Sequence, residues 1–254
     1  MYDLQKASLL KRFSAFLLDI ILLLMLSVAM FGLLSWILGY GNYANEIEET
    51  YDRYYAEYGI SEDITEEEYN ALPDEEKQKY IDASKAIEND DEFYELFYLF
   101  TNLTLIITTF SILLSYLIFE FIVPLIFKNG QTIGKKIFAI GVMDTNGVRI
   151  TPIALFVRAI LGKYTIETMV PVMLLMRVIL FGTGGPVSLI LVAALLLMQI
   201  IFMATTRTHL SIHDLLSSTV TVDLPSQMIF DSKEALTEYQ KKLAAEKAAN
   251  AEYF

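Results

Sequence analysis

Asp19 sits in an otherwise apolar run, and Arg12 precedes it by seven residues. Seven residues is close to two helical turns, so both side chains leave one helix face about 10 Å apart along its axis. Glu120 stands in a second apolar run, eight residues before Lys128, which is about 12 Å on a helix. With Arg12 and Lys128 at the headgroup level of a bilayer, both carboxylates lie at a similar depth in the hydrocarbon. A carboxylate there is costly and turns inward to a partner or a water-filled cavity. Arg12, Arg158, His213 and the two carboxylates themselves are the candidate partners. If Asp19 and Glu120 approach closely, one holds a proton at neutral pH, because adjacent like charges raise one pKa. That is the arrangement a proton or small-cation relay uses. The structural alternative is a buried ion pair that fixes helix register.

Other chemistries find no support. Gly130-Gln131-Thr132-Ile133-Gly134-Lys135-Lys136 resembles a phosphate loop but is one residue short between its glycines and has no Ser or Thr after the lysine. His209 and His213 are four apart, but no glutamate follows His209, so no metal site is expected. Asn102-Leu103-Thr104 fits a glycosylation sequon at the mouth of an apolar run, where it is discounted. No Ser–His–Asp or Cys–His set can be assembled, and the chain has no cysteine. The expectation is a non-enzyme without cofactor, metal or nucleic-acid partner.

The elements that position these charges are membrane helices. Of the 254 residues 54% are hydrophobic, and the mean hydropathy is +0.44, above ordinary soluble usage. The net charge of −12 is local: residues 40–100 hold 19 acidic and 4 basic residues, and the remainder holds 12 acidic and 15 basic. Four segments are long and apolar enough to cross a bilayer: 16–39, 98–127, 164–182 and 187–204. The third is the weakest, interrupted by Glu167, Pro171 and Arg177. The first apolar run is too long for a signal-peptide core and is expected to stay as an anchor. Lys6, Lys11 and Arg12, then Lys128 to Lys163, then Arg207 and the tail lysines fall on one side of four spans, so both termini are expected to be cytoplasmic in a plasma membrane.

The expected organisation is therefore an all-α polytopic membrane protein with a helical extracytoplasmic insert and a small cytoplasmic β-hairpin. Its segments are 1–39, with the first span; 40–97, the acidic insert; 98–127, the second span; 128–163, a hairpin and interfacial helix; 164–204, the third and fourth spans; and 205–254, a cytoplasmic tail. In the insert, Ile47, Tyr51, Tyr54, Tyr55 and Tyr58 share one helix face, and Thr65 and Pro73 begin new helices. Helical extensions of the first two spans are expected to fold back on each other there, the tyrosine stripe being either self-covered or a docking surface for a membrane partner. In the inner loop, 137–143 is β-prone, Asp144 to Gly147 is a turn, and Val148 to Ile150 returns. Thr151-Pro152 starts an apolar helix in the interface plane, Thr219 to Asp223 is a strand that can join the hairpin, and a solvated helix follows Ser232.

Three stretches together resemble the RDD family of bacterial integral membrane proteins: Lys11 to Ala15 through Asp19, Gly130 to Lys136 with the Gly147 turn, and Ile212-His213-Asp214-Leu215-Leu216 ending in Thr219-Val220. The resemblance covers about residues 6 to 223 and implies that the naming arginine and two aspartates are Arg12, Asp19 and Asp214. Ser217-Ser218 stands where relatives usually carry Ala-Gly, which bears on the tightness of that turn. The resemblance brings cation or proton exchange for some members and an accessory role for others. Two functions follow: a scaffold or regulatory subunit tied by the cluster of Arg12, Asp19, Glu120, Arg158, His213 and Asp214, or a transporter using Asp19 and Glu120. The second calls for oligomerisation, since no internal repeat supplies a second half.

Overall fold

A computed structural model describes residues 4–206 and 208–251, so the Arg207 used in the topology argument lies outside the described residues. In chain order the elements are α1 Leu9–Ile37, α2 Tyr40–Tyr58, α3 Glu66–Ala71, α4 Asp74–Glu88, α5 Asp91–Phe127, α6 Ile133–Ile137, β1 Ile140–Asp144, α7 Pro152–Phe181, α8 Gly185–Thr205, α9 Ile212–Leu216, β2 Thr219–Asp223 and α10 Lys233–Ala251. Among the described residues α1, α5, α7 and α8 are long and apolar enough to span a bilayer, with 29, 37, 30 and 21 residues. Their outward faces carry large apolar side chains such as Val28, Ile179 and Ile190. In water such surface is unfavourable, whereas in lipid it is the solvated face. The fold is an all-α polytopic membrane architecture with one small two-stranded sheet.

Contacts divide the chain into two units, Ala29–Ser111 and the combination of Met1–Val28 with Ile112–Phe254. The first unit holds the acidic insert. Gly39, at φ +67°, breaks the helix after α1, so α2 is a separate helix; α5 runs unbroken from Asp91. The tyrosine stripe of α2 is half-buried within this unit. Tyr51 meets Phe93 edge to face at 5.2 Å, and the Tyr54 hydroxyl donates to Asp90 at 2.7 Å. Thr65 begins α3 with a reciprocal capping box to Glu68, satisfying two donors that a helix start leaves open.

In the second unit the interfacial helix expected from Thr151 to Gly162 and the third span expected over 164–182 run together as a single helix, α7. The reason lies in its hydrogen-bond ladder. Residues Val157–Met169 are wound as a π-helix, with the Val170 N–H donating to Thr165 five residues back. A proline inside a helix lacks its N–H and collides with the carbonyl four residues earlier. The wider ladder just upstream makes room for Pro171 and lets the helix continue. α5 repeats the device, with a π turn at Leu117–Ile122 before Pro124.

The expected turn forms. Gly147 has φ +86°, and its N–H donates to the Asp144 carbonyl at 3.0 Å. Its return arm meets β1 through the Asp144 N–H, which donates to the Val148 carbonyl at 2.9 Å, and the bridge Met143↔Arg149, and it goes no further because Thr151 caps α7 immediately afterwards. The full partner of β1 is β2, antiparallel with Ile140 opposite Asp223 and Asp144 opposite Thr219. The chain just before α1 extends this pairing: Lys6 bridges Val222, the Asp223 N–H donates to Gln5, and Lys11 pairs with Asp223 at 2.6 Å. Ile140, Val142, Met143, Val220 and Val222 are almost wholly buried under this sheet. The sheet fixes where α1 begins, and so where Arg12 and Asp19 sit.

Candidate functional site

Three interlocked hydrogen-bonded groups lie at the sheet end of the second unit. In the first, Asp19, only 6% exposed, accepts a hydrogen bond from the Thr132 hydroxyl and another from the Gly134 N–H at 2.8 Å. Thr132 is also the N-cap of α6. This fit needs a glycine, since a β-carbon on Gly134 would lie 2.5 Å from the Ala15 carbonyl oxygen and 2.8 Å from Asp19. Asp19 therefore fastens α6 to α1.

The second group centres on Asp214, the first-turn acid of α9. It is paired with Arg158 of α7, accepts from Ser211 Oγ at 2.6 Å and from the Ser211 N–H at 3.1 Å, and lies 3.4 Å from Arg12 Nη2. Burial alone would raise its pKa, but Arg158, His213, Ser211 and Arg12 hold the carboxyl well below the usual range. Beside it, His213 Nδ1 stands 2.8 Å from both carboxylate oxygens of Glu167. Burial and the neighbouring Arg158 lower the His213 pKa against the pull of Asp214 and Glu167. Gly162 permits the contact of α7 with α9, because a β-carbon there would meet His213 Cβ at 2.5 Å.

The third group is Glu120, paired with Lys163 and 4.0 Å from Lys135 Nζ. Lys135 is pushed down to about 8 by burial and by Lys163, with Glu120 pulling the other way. Glu120, Arg158, Lys163 and Glu167 all lie on the π-wound stretches of α5 and α7, and such windings often mark functional positions. Together with Arg12, Asp19, Lys135 and His213 these side chains line a cavity of about 520 Å³, walled otherwise by apolar residues including Phe13, Phe16, Ile20 and Leu196.

The three motifs thus meet in space. Arg12 reaches Asp214, and Asp19 reaches the Thr132-Ile133-Gly134 turn. A family model described as the RDD family matches residues 6–218. The chain belongs to the RDD family. Neither the curated proteins nor the solved structures contain a match to it.

For this RDD protein the six candidate residues gather at one place, but the pairing among them differs from the expectation. Asp19 takes its hydrogen bonds from Thr132 and Gly134, while Arg12 and Arg158 turn to Asp214, and His213 to Glu167. Glu120 is matched by lysines rather than sharing a proton with Asp19. Sequence reasoning missed Thr132, Gly134, Lys135, Lys163 and Glu167 as members of the site. From the sequence the loop reads as a failed phosphate cradle and as one of the family stretches, Lys163 as a topology charge and Glu167 as an interruption, and none of them as a donor or partner to the buried charges. One signal was available: a motif that is polar and glycine-bearing next to an intramembrane aspartate can supply its donors.

Proposed function

We propose that this RDD protein is an accessory membrane subunit, a scaffold or regulator, whose helices are locked at one end by the buried charged layer. The supporting observation is that every carboxylate of the layer is bound by a donor from a different segment. Asp19 of α1 is held from the α6 turn, Glu120 of α5 from α7, Glu167 of α7 from α9, and Asp214 of α9 from α7 and α1. Removing one partner of a buried ion pair leaves an uncompensated charge and costs about 3–5 kcal/mol, so such a layer resists rearrangement. The lysine- and arginine-rich connections support an orientation with the sheet and both termini in the cytoplasm of a plasma membrane, and the acidic insert outside. With the tyrosine stripe turned onto its own unit, a partner would meet the exposed acidic faces of the insert.

Cation or proton transport is the second reading, supported by Asp19 and Glu120 lining one cavity. Purified protein in vesicles separates the two. The scaffold reading expects no change of internal pH after a sodium or potassium jump, with capture of a membrane partner that is lost when residues 45–89 are deleted. A flux that Asp19→Asn abolishes without unfolding the protein would replace it with transport.

A further inference from the structure

Lys135 is about nine-tenths buried and lines the cavity. Its nearest carboxylate oxygen, on Glu120, is 4.0 Å away, beyond hydrogen-bond reach, so among the described residues its ammonium donates no hydrogen bond. Its ammonium opens on the cavity instead, and a confined ammonium is costly unless an acceptor meets its donors. The neighbouring acids do not meet this need, since Asp19 is engaged by Thr132 and Gly134, and Glu120 by Lys163. Arg12 is likewise underused, its guanidinium making, among the described residues, contacts of 3.3 Å to the Thr208 carbonyl and 3.4 Å to Asp214 and no shorter ones.

The rest of the cavity has a different chemistry. Its α1 wall carries Phe13 and Phe16, 62% and 57% exposed, and its α8 wall carries Leu196, 56% exposed. These side chains belong to two helices that face lipid. A cavity of about 520 Å³ falls within the range of sites for small amphipathic molecules, and apolar walls disfavour filling it with water alone. Open cationic donors at one end and an apolar wall continuous with the bilayer fit one kind of occupant.

We propose that the cavity holds one anionic phospholipid of the surrounding membrane, its phosphate accepting hydrogen bonds from Lys135 and Arg12 and its acyl chains lying along Phe13, Phe16 and Leu196. This site is independent of the choice between scaffold and transporter. Asp19 is a positioning residue in it, since it fastens the helix that carries Lys135.

The test is native mass spectrometry of the full chain released from nanodiscs of phosphatidylglycerol and phosphatidylcholine in equal parts. The wild type should retain one phosphatidylglycerol per chain. Lys135→Gln should weaken that retention about tenfold, as loss of a charge-assisted hydrogen bond implies, and Lys135→Arg should keep it. Leu196→Trp, which fills the apolar wall without touching the charged layer, should also displace the lipid, so the test survives if Lys135→Gln fails to fold. The exposed Lys128→Gln is the control and should retain lipid as the wild type does. Equal retention of the two lipids, retention that ignores both Lys135→Gln and Leu196→Trp, or binding of a free fatty acid in place of phospholipid would overturn the proposal.

Discussion

A β-carbon added to Gly134 would lie 2.5 Å from the carbonyl oxygen of Ala15, so α6 and α1 meet through bare backbone. The same is true of Gly162 and His213, where the distance to Cβ is also 2.5 Å. Neither obstacle is the flexible end of a side chain, so the backbones themselves would have to part. Gly134→Ala and Gly162→Ala are each expected to destabilise the protein by about 1–3 kcal/mol, the usual cost of overpacking. Thermal unfolding in detergent, with Gly32→Ala as a control whose added β-carbon meets nothing within 4 Å, checks this.

Ser218 has φ +52°, a left-handed conformation that a side chain disfavours. Glycine adopts it without that cost, although it loses more freedom on folding. Ser218→Gly is expected to stabilise by about 0.5–1 kcal/mol, read as a rise in the unfolding midpoint. The adjacent Ser217 is a poor site for such a change, because its hydroxyl bonds the His213 carbonyl and Thr219.

Arg158 and Asp214 are 3% and 1% exposed and paired. Arg158→Met is expected to cost about 3–5 kcal/mol, because Asp214 then keeps a buried charge whose nearest remaining arginine, Arg12, is 3.4 Å away, the Ser211 donors being neutral. Combining it with Asp214→Leu should cost much less than the sum of the single changes. A double-mutant cycle on unfolding free energies measures this, and additivity would mean that the pair does not hold α7 to α9.

The charge on Asp214 also sets a pH dependence. Its folded pKa lies below the unfolded value, so the unfolded chain binds the extra proton first and stability falls with pH. The contribution is complete above the ordinary aspartate range, near pH 4, and is lost as pH drops through the depressed folded value. The unfolding midpoint should therefore fall more steeply between about pH 5 and pH 3 in the wild type than in Asp214→Asn.

Much of the scaffold could be read from local signals. The four apolar segments, the Thr65 and Thr151 caps, the Gly147 turn and the Thr219 to Asp223 strand are set by residues close in sequence, and the structure has each of them. The continuity of α7 was hidden because Pro171 normally ends a helix, and only a non-standard ladder upstream admits it. Depth along the helices speaks only for Asp19 and Glu120; Arg158 and His213 enter as candidate partners, and Asp214 through the family resemblance. Their pairing did not follow, because the donors to Asp19 are a threonine hydroxyl and a backbone N–H more than a hundred residues away, and depth carries no information about which neighbour turns towards which.

The central claim is that Asp19 acts as a fastener for α6, and the Gly134 amide reports on it directly through its 2.8 Å hydrogen bond to Asp19 Oδ1. Hydrogen exchange measured across residues 130–137 in the wild type and in Asp19→Ala tests it. The account predicts that the Gly134 amide loses protection in the variant while the helices α1, α5 and α7 keep theirs. Unchanged protection at Gly134 in a folded Asp19→Ala protein would contradict it.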